Sequence, residues 1–143
     1  MSEHTLSSVL DEIIPPNGER GMPGAGALGL AENVRAAALG SAPVVDAGLA
    51  ALDQRARDGG ADGFAALASH ARVELIEQIA GDHPAFLPSL IFHTYQAYYQ
   101  HPEVLEALGM EGRPPHPKGY EIEPNDLTLL ENVRARQKLY RDC

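Results

Sequence analysis

The sequence has little of what marks several common protein classes. Its one cysteine, Cys143, is the last residue, so no disulfide can form within the chain and we expect no catalytic thiol. No apolar run approaches the roughly 20 residues that a membrane-spanning helix needs. The first ten residues, MSEHTLSSVL, lack the basic and apolar regions of a secretory signal. We therefore expect a cytoplasmic protein.

Positive charge is also scarce in this chain. Aspartate and glutamate number 20 against 11 lysines and arginines, which gives a formal net charge of -9. Nucleic acids and anionic membrane surfaces attract proteins through a basic field. The composition therefore argues against both kinds of partner.

Motifs of catalysis and cofactor binding are missing as well. The chain has no G-x-S-x-G, H-E-x-x-H or C-x-x-C motif and no phosphate-binding loop. The glycines between Gly21 and Gly29 follow no predicted strand and lack the accompanying lysine. The six histidines do not combine with carboxylates at a spacing that suits a metal. We expect no catalytic, cofactor-binding or metal-binding residue here; the enzyme alternative is a self-sufficient small enzyme with His93 or His116 as its base.

Helical periodicity is what the sequence does have. Apolar residues recur at helical spacing from Leu6 onward, with Thr5 as a predicted N-cap. Ser41 and Pro43 predict the start of a longer helix that ends at Gly59, since proline suits the first turn and glycine the end. No alternating strand pattern is present. The chain is therefore predicted to be all-α, a compact bundle of about six short helices.

A proline-rich stretch, RPPHPKGYEIEPND, follows these helices. Its four prolines remove backbone donors and fix φ, which excludes a helix or a central strand. We predict a long extended arm, followed by a terminal helix that Asp126 caps. The predicted organisation is a helical domain over 1-112, with the arm and terminal helix over 113-143 as part of the same single domain.

All eight aromatic residues lie after position 63. The tyrosines of FHTYQAYYQH occupy more than one face of a helix, and tyrosine favours sites with one apolar and one wet side. We therefore predict a partner interface, and the arm adds its own candidates. The predicted interface residues are Tyr95, Tyr98, Tyr99, Pro114, Pro115, His116, Tyr120 and Ile122. The alternatives are a core-plus-rim arrangement within one chain, or a homo-oligomeric scaffold that uses the tyrosines on itself.

The order of these segments resembles the gluconate 2-dehydrogenase subunit 3 family. The resemblance lies in LDEIIPPNG, GALGLAENV, GFAALASHARVELIEQIAG and TYQAYYQHPEVLEALGMEGRPP, and it extends roughly from Leu6 to Pro115. Its most specific parts are EIIPP and YYQHPEVLEALG. Members of that family are small accessory subunits of flavoprotein oxidoreductases of the glucose-methanol-choline type.

The resemblance implies a non-catalytic subunit that binds and stabilises a large FAD-dependent sugar or alcohol oxidoreductase subunit. FAD is then expected in the large partner and no cofactor in this chain. Two features differ from the family pattern: the chain begins almost directly at its first helix, without a twin-arginine signal, and its ending departs from that of gluconate dehydrogenases. The substrate of the complex is therefore left open among sugars, glycosides and other alcohols.

Overall fold

Six α-helices follow one another along the first 107 residues. The computed structural model describes residues 3–119 and 121–137. The helices are α1 (Glu3–Ile13), α2 (Ala31–Ala37), α3 (Ala42–Asp58), α4 (Ser69–Ile79), α5 (Phe86–Tyr98) and α6 (Pro102–Ala107). Short 3-10 turns lie at Gly18–Arg20, Leu39–Ser41 and Phe64–Ala66. The described residues contain no β-strand, only an isolated bridge between Asn17 and Met22. The prediction of an all-α bundle of about six short helices is confirmed.

Helix α3, the longest of the six, packs against α1, α4 and α5. Proline in its first turn and Gly59 at its end set its bounds, as the sequence predicts. Its buried face includes Val45, Leu49, Leu52 and Ala56. Burying one such leucine contributes roughly 1.5–3 kcal/mol, so this face provides much of the driving force for folding.

The close approach of α5 to α3 depends on a glycine. A Cβ atom at Gly48 would lie 2.2 Å from Cδ2 of Phe86, a ring that is fully buried. Any larger residue would therefore have to push α5 away from α3. Gly48 fixes the distance between the core and the helix that carries the tyrosines.

Thr5 does not cap α1, so that prediction is wrong. The helix begins at Glu3, and the Thr5 hydroxyl is buried and donates to the Asp53 carboxylate, with Oγ1 2.9 Å from Oδ1 and 3.0 Å from Oδ2. Asp53 also accepts a hydrogen bond of 3.1 Å from the backbone N–H of Phe64. A buried carboxylate needs such donors to offset its lost hydration. Asp53 thereby connects α1, α3 and the 3-10 turn at Phe64–Ala66.

The glycine-rich loop after α1 packs tightly onto that helix. The N–H of Gly26 donates to Oδ1 of Asp11 at 2.8 Å. A Cβ atom at Gly26 would lie 2.2 Å from the backbone oxygen of Ser7, so only glycine fits. Gly26 therefore has a packing role in this loop.

The chain divides into two compact units, residues 1–113 and 114–143. We call the first the body and the second the tail. In the described part of the tail, residues 121–126 have neither helix nor strand, and a 3-10 turn at Leu127–Leu130 leads into α7 (Glu131–Arg134). The predicted Asp126 cap is confirmed, because its side chain accepts a 3.0 Å hydrogen bond from the N–H of Thr128. The grouping of both units into a single domain stays a prediction.

No single helix in the described ranges has both the length and the apolar character to cross a membrane. The stretches Ala31–Ala37 and Leu39–Asp58 reach that length and composition only as a pair, and they meet at a bend of 78°.

Candidate partner-binding surface

Helix α5 carries two adjacent rows of side chains with different surroundings. Residues four apart lie on one face of a helix. The first row is buried and consists of Phe86, Leu90, Thr94 and Tyr98. The second row, which we call the aromatic ridge, consists of Leu87, Ile91 and Tyr95 on the helix and Tyr99, the residue that follows its last turn. Exposure increases along the ridge from the partly buried Leu87 to Tyr95 at 44% and Tyr99 at 48%.

The structure separates the three predicted interface tyrosines. Tyr98 is only 1% exposed, and its hydroxyl donates to the backbone oxygen of Pro23 at 2.7 Å. Burial raises the pKa of the Tyr98 phenol, and the neighbouring Tyr99 raises it further. Tyr98 therefore remains protonated and belongs to the core, where it fastens α5 to the loop after α1. Tyr95 and Tyr99 are the two whose rings reach solvent.

Ring contacts hold the exposed tyrosines in place. The rings of Tyr95 and Tyr99 stack with centroids 5.9 Å apart and an interplanar angle of 25°. Tyr98 meets Tyr99 edge-on at 5.2 Å and 88°. Such pairs contribute about 0.5–1.5 kcal/mol beyond burial. The ridge is therefore a pre-ordered aromatic surface whose base is anchored in the core.

A groove of about 290 Å³ lies on one side of the ridge, and we call it the α4 groove. Its lining is mostly apolar and comes from α1, α4 and α5: Glu12, Ile13, Val73, Ile76, Glu77, Leu87, Ile91 and Tyr95. Glu12 is already engaged, since its carboxylate lies 2.9 Å from Nε of Arg72 and accepts a hydrogen bond from Ser69. Glu77 is exposed, and nothing in the described chain pairs with its carboxylate.

A second groove of about 620 Å³ lies between the loop after α1 and the end of α6; we call it the loop groove. It is lined by Ile14, Pro15, Asn17, Arg20, Met22, Tyr98, Tyr99, Ala107 and Leu108. The EIIPP and YYQHPEVLEALG segments, which carry the most specific part of the resemblance, therefore meet at this groove. Tyr99, the last residue of the aromatic ridge, also lines this groove.

The predicted interface residues in the described part of the tail are exposed. Pro114, Pro115 and His116 are all open to solvent, and Ile122 is 85% exposed. Tyr120 lies outside the described residues. The tail also exposes further large apolar residues that the sequence reasoning did not assign to an interface: Leu127, Leu129, Leu130 and Val133. The sequence signal was their helical spacing, since Leu127, Leu130 and Val133 follow one another at intervals of three.

The two candidate catalytic bases have no catalytic surroundings in the described chain. His93 is partly buried, packs edge-on against Phe92 at 5.2 Å, and its Nδ1 has no hydrogen-bond partner among the described residues. His116 is exposed in the tail. A general base is normally oriented by a hydrogen-bonding group on its second nitrogen, and the described chain supplies none to His93. Within residues 3–119 and 121–137, no group of three or more histidine, cysteine or acidic side chains could hold a metal ion.

In the described residues, the body exposes the aromatic ridge and the tail exposes several large apolar side chains. The family model described as Gluconate 2-dehydrogenase subunit 3 matches residues 2–111, and the chain belongs to that family. The family's subunits are accessory components of a dehydrogenase complex, whose cofactor is carried by other subunits. No curated protein and no solved structure matches the chain. The match covers the body and ends before the tail.

Proposed function

We propose that this chain is the non-catalytic small subunit that binds and stabilises a large FAD-dependent sugar or alcohol oxidoreductase subunit of the glucose-methanol-choline type. The observation that carries the proposal is the family match over residues 2–111, which makes the chain an accessory subunit of a dehydrogenase complex. FAD and the chemistry of oxidation belong to the large subunit. The role of the small chain is structural.

The exposed apolar residues support a binding role. A monomer that works alone rarely displays a contiguous cluster of large apolar side chains, and such clusters commonly mark partner sites. This chain exposes large apolar side chains at two places, the aromatic ridge on the body and the described part of the tail. Covering them with a partner would remove apolar surface from water and so favour association.

Stabilisation of the large subunit follows from mass action. A partner that binds only the folded state stabilises it by RT ln(1 + [L]/Kd), about 2.7 kcal/mol at 100 times Kd. An FAD-binding subunit that is marginally stable alone would therefore accumulate in its folded, flavin-loaded form when the small chain is present.

Coexpression tests this proposal. We expect that the large flavoprotein subunit copurifies with this chain and that the yield of flavin-loaded enzyme rises severalfold over the large subunit expressed alone. The flavin absorbance should follow the large subunit when the two are separated. Equal yield and activity with and without this chain would refute the proposal, and turnover of a sugar or alcohol by the isolated chain would favour the enzyme alternative.

A further inference from the structure

We infer that the aromatic ridge and its two flanking grooves form one docking site for an apolar segment of the large subunit, oriented with a basic side chain at Glu77 and an acidic side chain at Arg20. The inference rests on the proposed function and deepens it by naming the surface and the chemistry of the segment that fits.

The two grooves meet at the same two elements of the body. Consecutive residues at the end of α1, Ile13 and Ile14, line the α4 groove and the loop groove respectively. At the end of α5, Tyr95 lines the first groove and Tyr99, just after the helix, lines the second, and their rings stack on each other. The grooves are therefore neighbours on either side of one stacked tyrosine pair, and a single bound segment can enter both.

The charges at the two grooves have opposite sign and are both available. Residues 1–113 contain six arginines and no lysine. Five of these arginines form ion pairs with carboxylates: Arg35, Arg55, Arg57, Arg72 and Arg113. Arg20 forms none among the described residues, although the body has 15 acidic side chains. Arg20, which has no ion pair among the described residues, therefore lines the loop groove, while Glu77, which has none there either, lines the α4 groove.

This pattern selects an occupant by charge complementarity. Complementary charges at the rim of an interface fix orientation and exclude wrong partners, while aromatic side chains at its centre supply affinity. An apolar segment with a positive group at one end and a negative group at the other satisfies both Glu77 and Arg20. The reverse orientation would place like charges together at both ends.

The first experiment replaces the two central tyrosines of the proposed site. The double variant Tyr95→Ala/Tyr99→Ala is coexpressed with the large subunit, and the Kd of the purified pair is compared with that of the unaltered chain. Central interface tyrosines are typical hot spots, so we expect association to weaken tenfold or more. Phe92→Ala is the matched control, because Phe92 is an exposed aromatic residue of the same helix that lines neither groove; we expect a change below twofold.

The second experiment reverses the charges at the two ends of the proposed site. Glu77→Lys and Arg20→Glu should each weaken association severalfold and change its dependence on salt, since rim charges act largely through the association rate. Glu74→Lys is the control: Glu74 is exposed on the same helix, three residues before Glu77, and lines neither groove. An equal loss of association for Glu74→Lys would show that the effect comes from net charge alone, and this would overturn the assigned orientation.

The outcomes separate this inference from the proposed function. A complex that forms with unchanged affinity when both tyrosines are replaced overturns the docking site and leaves the accessory role standing. Failure of the unaltered chain to bind the large subunit overturns both. A self-associating chain whose dimer, measured by sedimentation, is lost in the double variant while large-subunit binding persists would assign the ridge to a second copy and overturn the inference.

Discussion

At the scale of residues, the adjacent tyrosines Tyr98 and Tyr99 have different structural roles. Tyr98 is a core residue whose phenol needs its proton, because the hydroxyl donates to the Pro23 carbonyl. Tyr99 leans edge-on against it and presents the rest of its ring to solvent. The inner tyrosine therefore stabilises the fold, and its edge-on contact supports Tyr99, which in turn stacks on Tyr95.

The raised pKa of Tyr98 predicts a specific loss of stability in alkali. The folded state retains the proton at a pH where the unfolded chain, with a tyrosine pKa of about 10, has begun to lose it. The stabilisation is thus complete below pH 10 and declines as the pH rises through the folded-state pKa. Urea unfolding at pH 8 and pH 11 should show a smaller decline for Tyr98→Phe than for the unaltered chain.

The variant Tyr98→Phe should also be less stable at neutral pH. Tyr98→Phe removes the hydrogen bond to Pro23 and should lower the free energy of unfolding by about 1 kcal/mol. Tyr95→Phe, which removes the hydroxyl of a 44% exposed tyrosine and leaves both Tyr98 and Tyr99 unchanged, serves as the control for both measurements. Identical alkaline declines in Tyr98→Phe and the unaltered chain would contradict the assigned role.

Local rules predicted some residues correctly and failed at others for a physical reason. Asp126 caps its turn as expected, because a cap depends on atoms two residues away. The same rule placed Thr5 at a cap, but its partner is Asp53, 48 residues further along the chain. Likewise, the spacing of the tyrosines showed that they occupy several faces, yet the assignment of Tyr98 to the core requires a carbonyl 75 residues away.

At the scale of elements, the geometry of the ridge depends on how closely α5 lies on α3. The bounds of α3 were predictable because proline and glycine mark its ends. The two grooves were not predictable, since each is formed by segments from different parts of the sequence and appears only once α1, α4, α5 and α6 are assembled. Side chains that line a groove have no shared local pattern.

Replacing Gly48 with alanine tests this helix contact. Alanine gains about 1 kcal/mol in helix propensity, but its Cβ would lie 2.2 Å from the buried Phe86 ring. Overpacking of this kind typically costs 1–3 kcal/mol, which exceeds the gain, so we expect Gly48→Ala to lower the free energy of unfolding by about 1 kcal/mol. Gly40→Ala is the control, because nothing lies within 4 Å of a Cβ at that position. A Gly48→Ala variant as stable as the control in urea unfolding would contradict the close packing.

At the scale of the whole molecule, the charge and the apolar surface are distributed unequally. The excess of acidic residues lies entirely in residues 1–113, whereas residues 114–143 contain five acidic and five basic side chains. The tail combines this neutrality with large exposed apolar residues such as Ile122 and Leu129. It therefore lacks the repulsion that keeps the acidic body apart from other proteins.

Polar substitutions in the tail should affect partner binding far more than folding. Ile122→Ser/Leu129→Ser changes side chains that are 85% and 75% exposed, so we expect the melting temperature to stay within about 1 °C, because exposed substitutions usually change stability by less than about 0.5 kcal/mol. Association with the large subunit should weaken about tenfold if these residues are buried at the interface.

The matched control for the tail is Leu39→Ser, because Leu39 is 76% exposed on the body and lines neither groove next to the ridge. It should leave both the melting temperature and binding unchanged. A melting temperature several degrees lower in the tail variant, together with normal binding, would show that the tail acts on its own chain.

The stretch at 121–126 has no regular secondary structure and leads into exposed leucines. This has a consequence for how long the small subunit survives in the cell. Proteases cleave most readily where the backbone is accessible and free of helix or strand. A copy that has not found its large subunit presents such a segment together with the apolar signals that chaperones recognise, while an assembled copy covers them. Under the proposed function, the lifetime of the small subunit is therefore set by assembly, and surplus copies are removed until the two subunits match in number.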